Sequence, residues 1–272
     1  MSFNAPPQIA VEAIRSGVSK AAAPPVKALV GGFLAGAYIA FGGLLAIVVS
    51  SGLDPKTWGG LTTLFTGLVF SLGLILVVVG GADLLTGNMA TIPLAVLDRK
   101  VTVVRMLLNW FWVTIGNLAG ALFVAYVLAD KTGVIKKGAD GTAGASWTRL
   151  GAITMGKAVT ETHTEQFLRA VGCNWLVCLA VWLAFAATSV SGKILAIIFP
   201  ITAFVALGFD HVVANMFFLP LAVFENAGSV TTANTVENLI FAFLGNAVGA
   251  GVFVAGAYYY LYAKDRPEAD KV

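Results

Sequence analysis

The chain has 272 residues, 58% hydrophobic and 11% charged, where soluble domains carry about a quarter charged residues. Apolar runs longer than the ~20 residues needed to cross a ~30 Å hydrocarbon layer recur along it, which indicates an all-α integral membrane protein rather than a soluble core with one anchor. The formal charge of +3 is small and its Lys and Arg fall mainly between apolar runs, which argues against a nucleic-acid surface and makes these residues reporters of topology.

Residues 1–26 form the first unit. From Pro7 to Ala22, Ile9, Ala10, Ala13, Ile14, Gly17, Val18 and Ala21 share a helical face, with Glu12, Arg15, Ser16, Ser19 and Lys20 elsewhere. This spacing predicts an amphipathic helix lying in the cytoplasmic interface. No basic stretch leading into an apolar core and a small-residue cleavage site is present, so no cleaved signal peptide is expected. Residues 27–263 form the transmembrane domain, with uncharged runs at 28–52, 57–82, 106–129, 170–192, 194–209 and 238–263. The second run meets Asp83 and continues over 84–97; the fifth meets Asp210 and continues over 211–224. Each composite is too long for one straight helix. Residues 264–272 form a cytoplasmic tail.

The two composites repeat one another. Gly81-Ala82-Asp83-Leu84-Leu85-Thr86-Gly87-Asn88-Met89 aligns with Gly208-Phe209-Asp210-His211-Val212-Val213-Ala214-Asn215-Met216, and Gly116-Asn117-Leu118-Ala119-Gly120 in the following span aligns with Gly245-Asn246-Ala247-Val248-Gly249. Two matches in the same order make the chain two copies of a three-segment unit. If each composite crosses once there are six transmembrane segments. Arg15, Lys20 and Lys27, then Arg99, Lys100 and Arg105, then Lys193, then Lys264, Arg266 and Lys271 all then share one side, which is cytoplasmic by the positive-inside rule. The connection over 130–169 lies outside. Three segments per copy requires inverted repeats, a transporter-type architecture. The two broken helices, with backbone groups tolerable only where they line a cavity or are buried in protein, mark the pathway.

An ionisable residue at membrane depth is costly and is a functional candidate. Asp83 and Asp210 occupy equivalent positions, which suggests one shared structural job: capping the freed N–H groups of each second half-helix. His211 faces an apolar Leu84 in the other copy, and an imidazole at a break is suited to handling protons. Thr86, Asn88 and Asn215 offer hydrogen bonds to a transient anion without fixed charge. Asn117, Asn174 and Asn246 read as interhelical hydrogen-bonding residues, and Gly116, Gly120, Gly245 and Gly249 as close-packing positions. Lys157 either makes an external vestibule positive or is a solvated lysine. His163 reads as solvated, and Cys173 and Cys178 as small buried hydrophobes. No metal or cofactor is expected.

The runs Cys173-Asn174-Trp175-Leu176-Val177-Cys178-Leu179-Ala180-Val181-Trp182 and Gly208-Phe209-Asp210-His211-Val212-Val213-Ala214-Asn215-Met216-Phe217-Phe218-Leu219-Pro220, with Leu85-Thr86-Gly87-Asn88 and Gly116-Asn117-Leu118, resemble signatures of the formate/nitrite transporter family. The resemblance covers nearly the whole chain. It implies an aquaporin-like protomer, a homopentamer with one pore per protomer, and residence in the bacterial cytoplasmic membrane. The implied activity is not enzymatic: it is passage of a small monovalent anion, most readily formate, with nitrite and hydrosulfide as alternatives, coupled to protons. By the same resemblance, Thr86 belongs to a mobile loop, His211 is the central histidine, and Lys157 and Asn174 are the external lysine and fourth-span asparagine. Constrictions map to Phe70 and Phe204 outward and to Leu74 and Leu85 inward. Two departures stand out: Leu85 where many members carry Phe beside the threonine, and Asp210 where many carry Glu before the histidine. A neutral-solute channel of the aquaporin type would be expected to carry Asn-Pro-Ala at both breaks, and a haem carrier would need paired intramembrane ligands.

Overall fold

The computed structural model describes residues 3–135 and 144–266, and the regular elements there are all helices. The tail beyond 266, with Lys271, lies outside the described residues. Helix starts follow local chemistry. α1 (Pro6–Ala21), α2 (Pro25–Ser50) and the single turn α3 (Pro55–Trp58) each open on a proline, whose fixed φ suits a first turn and whose missing N–H is no loss there. α4 (Leu61–Gly80) and α5 (Leu85–Leu97) flank the first break. α6 (Val103–Phe123) is capped by the Thr102 hydroxyl and runs on as a π-helix over Val124–Asp130. α7 (Ala145–Met155) also passes into a π-turn, Gly156–Thr160. α8 (His163–Ala186) begins on a Thr162–Glu165 capping box. α9 (Val190–Ala206) and α10 (Val212–Glu225) flank the second break, and α11 (Thr232–Ala250) continues in π-helical segments Gly251–Gly256 and Tyr259–Ala263.

Five helical stretches are long and apolar enough to cross a bilayer: Pro25–Ser50, Leu61–Gly80, Val103–Asp130, His163–Ala186 and Thr232–Ala263. α5, α9 and α10 are shorter apolar helices. Helix limits differ from the uncharged runs at polar ends. α8 starts ahead of residue 170 and carries Glu165 and Arg169 in its first turns, because its capping box sets the start whereas the run began only where charge stopped. The 130–169 connection, expected as an external loop, contains α7.

Both breaks have the same construction. α4 ends at Gly81 (φ 78°) and α9 ends just before Gly208 (φ 71°), left-handed positions that a side chain would strain. Ala82 N–H then bonds Val77 O, and Phe209 N–H bonds Phe204 O. The chain leaves extended through Leu84 or His211 and re-enters a helix.

α2 packs against α4 and α6, α8 against α9 and α11, and α4 against α9. Each short second half-helix sits across both copies, α5 touching α6, α8 and α11, and α10 touching α2, α6 and α11. Glycine permits the close approaches: a Cβ on Gly116 would fall 2.9 Å from Gly32 Cα, and one on Gly245 2.6 Å from Ala170 Cβ. The repeat also reaches further than the three-segment unit, because α1 packs on α5 as α7 packs on α10.

Candidate functional site

The amide of the Gly-Asn motif holds each break in place. Asn117 Oδ1 accepts Leu85 N–H (3.0 Å), while its Nδ2 donates to Asp83 O (3.0 Å) and Gly32 O (2.8 Å). Asn246 does the same in the second copy, accepting Val212 N–H and donating to Asp210 O and Ala170 O, each at 2.8 Å. One side chain with both donor and acceptor thus satisfies backbone groups that an interrupted helix would leave unpaired. The capping role expected of Asp83 and Asp210 is corrected accordingly. Their carboxylates accept only from side chains, because the extended residue after each points the first helical N–H at the asparagine.

Asp83 and Asp210 instead anchor two matching circuits. Lys157 Nζ donates to Asp210 Oδ1 and Phe209 O, both at 3.0 Å. Asn215 Nδ2 donates to Asp210 Oδ1 and Asn238 Oδ1, and Asn238 Nδ2 returns to Lys157 O. In the other copy Lys20 Nζ donates to Asp83 Oδ1 (3.0 Å) and Asn88 Oδ1 (2.7 Å). Asn88 Nδ2 bonds Asp83 and Asn109, and Asn109 Nδ2 returns to Lys20 O. Lys157 is therefore ion-paired and largely buried, not solvated.

Two cavities of similar size approach the breaks. One, of about 250 Å³, is lined by Phe70, Arg149, Lys157, Glu161, Phe204 and His211 among others; the other, of about 230 Å³, by Lys20, Leu74, Leu84, Thr91 and Lys193 among others. Phe70 meets Phe204 edge-on at 5.7 Å, and Phe204 stacks on His211 at 5.8 Å. Thr86 and His211, 0% and 2% exposed, meet at 2.9 Å between Oγ1 and Nε2. His211 is also the N-cap of α10, its Nδ1 accepting Ala214 N–H at 3.0 Å. That bond occupies the Nδ1 lone pair, so a neutral ring carries its proton on Nε2 and donates to Thr86 Oγ1, leaving the threonine hydrogen free to turn elsewhere.

The remaining expected site residues fall in three places. Phe70, Phe204 and His211 line the Lys157 cavity and Leu74 the Lys20 cavity. Leu85 is buried beside the first break, its backbone N–H held by Asn117, and its equally buried neighbour Leu84 lines the Lys20 cavity. Asn174 stands behind the loop: its Nδ2 donates to Thr86 O (3.2 Å) and Asn246 O (2.8 Å), so it positions the threonine. Cys173 and Cys178 are buried, and His163 is exposed, stacked on Phe241.

Several residues were missed from sequence. Lys20 reads as the polar face of a surface helix, and only its place opposite Lys157 reveals the circuit. Arg149 reaches Ser50 and Thr66 from α7, with burial lowering its affinity for its proton. Glu161 pairs with Arg169 at 2.9 Å. Burial, with the Asp210 carboxylate close by, pushes the Glu161 carboxyl up to about 7 against the opposing pull of Lys157 and Arg169.

Comparison with known proteins gives one consistent result. Residues 7–260 match the family described as Formate/nitrite transporter. A protein of Methanothermobacter thermautotrophicus described as "Probable formate transporter" is 46% identical over 97% of this chain and 99% of its own length. The Formate channel BtFdhC of Bacillus thuringiensis is 42% identical over 97% and 98%. A solved structure, "Pentameric formate channel with formate bound", superposes with a TM-score of 0.74 at 30% identity, over 88% of this chain and 97% of that one.

Proposed function

The chain belongs to the formate/nitrite transporter family, a family of multi-pass membrane channels and transporters rather than enzymes, and from that premise we propose that it carries formate across the membrane with a proton, by way of His211. The carrying observation is the buried Thr86–His211 contact: His211 lines the Lys157 cavity, while Leu84 and Gly87, close to Thr86 in the chain, line the Lys20 cavity.

The energetics favour crossing as the neutral acid. Moving a bare anion through apolar rings costs many kcal/mol, and on the order of tens by an idealised Born estimate. Protonating a carboxylate with a pKa of about 4 at pH 7 costs roughly 4 kcal/mol, at about 1.36 kcal/mol per unit. Lys157 and the break dipoles draw the anion into the outer cavity. A proton taken at Nδ1 displaces Ala214 N–H, and the charged ring passes its Nε2 proton through the Thr86 hydroxyl to formate. The displaced hydrogen bond costs about 1 kcal/mol, small beside the charge it removes.

In this reading the chain has six transmembrane segments arranged as two inverted repeats, with residues 1–26 and 264–272 cytoplasmic, 27–263 in the membrane and the Lys157 cavity outside. Lys20 and Lys193 lining one cavity, and the buried Arg266–Asp98 ion pair between tail and α5 end, support a common side for these segments. The homopentamer follows the solved relative.

The test is uptake by purified protein in proteoliposomes, with formate, nitrite, hydrosulfide and acetate in competition. His211→Asn keeps an N-cap acceptor but carries no titratable proton. It is expected to leave the oligomer intact and to abolish proton-linked formate uptake at least tenfold. Undiminished proton-coupled flux in that variant sinks the relay, and the competition series then still reports the anion.

A further inference from the structure

We propose that Glu161 and Asp210 share a single proton at the Lys157 cavity, and that this proton sets the positive charge an entering anion meets. The proposal deepens the anion-carrying reading above and rests on it for the role of that charge; the shared proton itself does not.

The argument starts from acceptors without donors. Glu161 Oε1 accepts from Arg169 Nη1 at 2.9 Å, and Asp210 Oδ1 accepts from Lys157 and Asn215. The second oxygen of each group, Glu161 Oε2 and Asp210 Oδ2, is buried with no hydrogen-bond partner among the described residues. The two carboxyls are nevertheless near neighbours, each within direct electrostatic reach of the other. Two ionised carboxylates placed so would leave two acceptors facing each other, each at the cost of a stranded buried group. One proton between them satisfies both oxygens, as in other carboxyl pairs that cannot both ionise. Among the described residues no side chain donates to either oxygen, and the nearby Gln166 amide is committed to Lys157 O and Glu161 O. Glu161 is the member that carries the proton, because Asp210 already has Lys157 and Asn215 holding its charge.

The charged and titratable groups around the pair come from every neighbouring element. Lys157 lies on the π-turn after α7, Arg169 on α8, Asp210 in the break and His211 at the start of α10; Arg149 lines the same cavity from α7. With a neutral His211, the three cations outweigh the protonated pair by two charges and the fully ionised pair by one. The proton therefore doubles the net positive charge at this entrance. The other circuit has no counterpart among the described residues: Asp83 is in reach of Lys20 and Asn88, and no second carboxyl there joins it. The response to pH belongs to one side of the molecule.

Reconstituted full-length protein is titrated from about pH 5 to about pH 8.5 by infrared difference spectroscopy, a range that brackets ordinary and raised carboxyl values. A protonated-carboxyl C=O band that disappears between about pH 6 and about pH 8, and is absent in Glu161→Gln, is expected. No such band in the unmodified protein overturns the shared proton, whatever anion the protein carries and whether or not the variant folds. Formate half-saturation is then measured on the Lys157 side for both proteins, and the substrate's own titration cancels in their ratio. Unmodified protein and variant should agree near pH 6, and the unmodified protein should need roughly tenfold more formate near pH 8, the effect of one unit charge at close range. A ratio that stays at one overturns the role assigned to the proton, while absence of formate flux in both proteins overturns the transport reading and leaves the spectroscopic result standing.

Discussion

Asn117 and Asn246 each make three hydrogen bonds to backbone groups with one buried amide, so their removal strands several backbone groups at once. Asn117→Ala is expected to lower stability by about 3 kcal/mol, since each unpaired buried group costs about 1–3 kcal/mol. Thermal unfolding in detergent measures it, with Asn246→Ala expected to fall by a similar amount because its partners match. Glu161 gives a second test. Its carboxyl binds a proton more tightly folded than unfolded, so its contribution is fully present below the ordinary value near 4.5 and is lost as pH rises through about 7. Unfolding temperature should therefore decline over that interval, and Glu161→Gln should flatten the decline. His211 was legible from sequence because it puts an imidazole beside the shared aspartate where the other copy has the apolar Leu84. Glu161 was not, since nothing in a polar connection signals that its second oxygen will be buried against Asp210.

Helix pairs carry the frame, and their contacts are set by residues without side chains. Gly116→Val on α6 places branched carbons where Gly32 Cα already sits, and is expected to separate α6 from α2 and prevent folding to a monodisperse species on size exclusion. Gly251→Ala, at a position with open space around it, should behave as the unmodified protein. Both breaks were legible because a glycine, an acid and an asparagine recur at fixed offsets. The kinship of α1 with α7 was not. α1 is amphipathic and α7 lies in a connection with too few apolar residues to stand out, so no shared spacing advertises that both press on the second half-helix of a break.

For the whole molecule, the membrane-spanning class follows from composition alone, whereas assembly rests on relatives. Native mass spectrometry of detergent-purified protein is expected to give a five-copy complex, as in the solved relative. Exposed apolar stripes on α6 (Leu107, Leu108, Phe111, Ile115) and α11 (Val236, Ile240, Leu244, Val248) are the surfaces available to lipid or to neighbouring copies.

The duplicated circuits bear on the direction of flow. A pore whose halves were perfect inverted copies would look the same from either face and, under mirrored conditions, could not rectify. In the transport reading proposed above, any difference between import and export originates where the two halves differ, among them an imidazole at 211 against a leucine at 84, a threonine at 86 against a valine at 213, and a second carboxyl beside Asp210 with none beside Asp83 among the described residues.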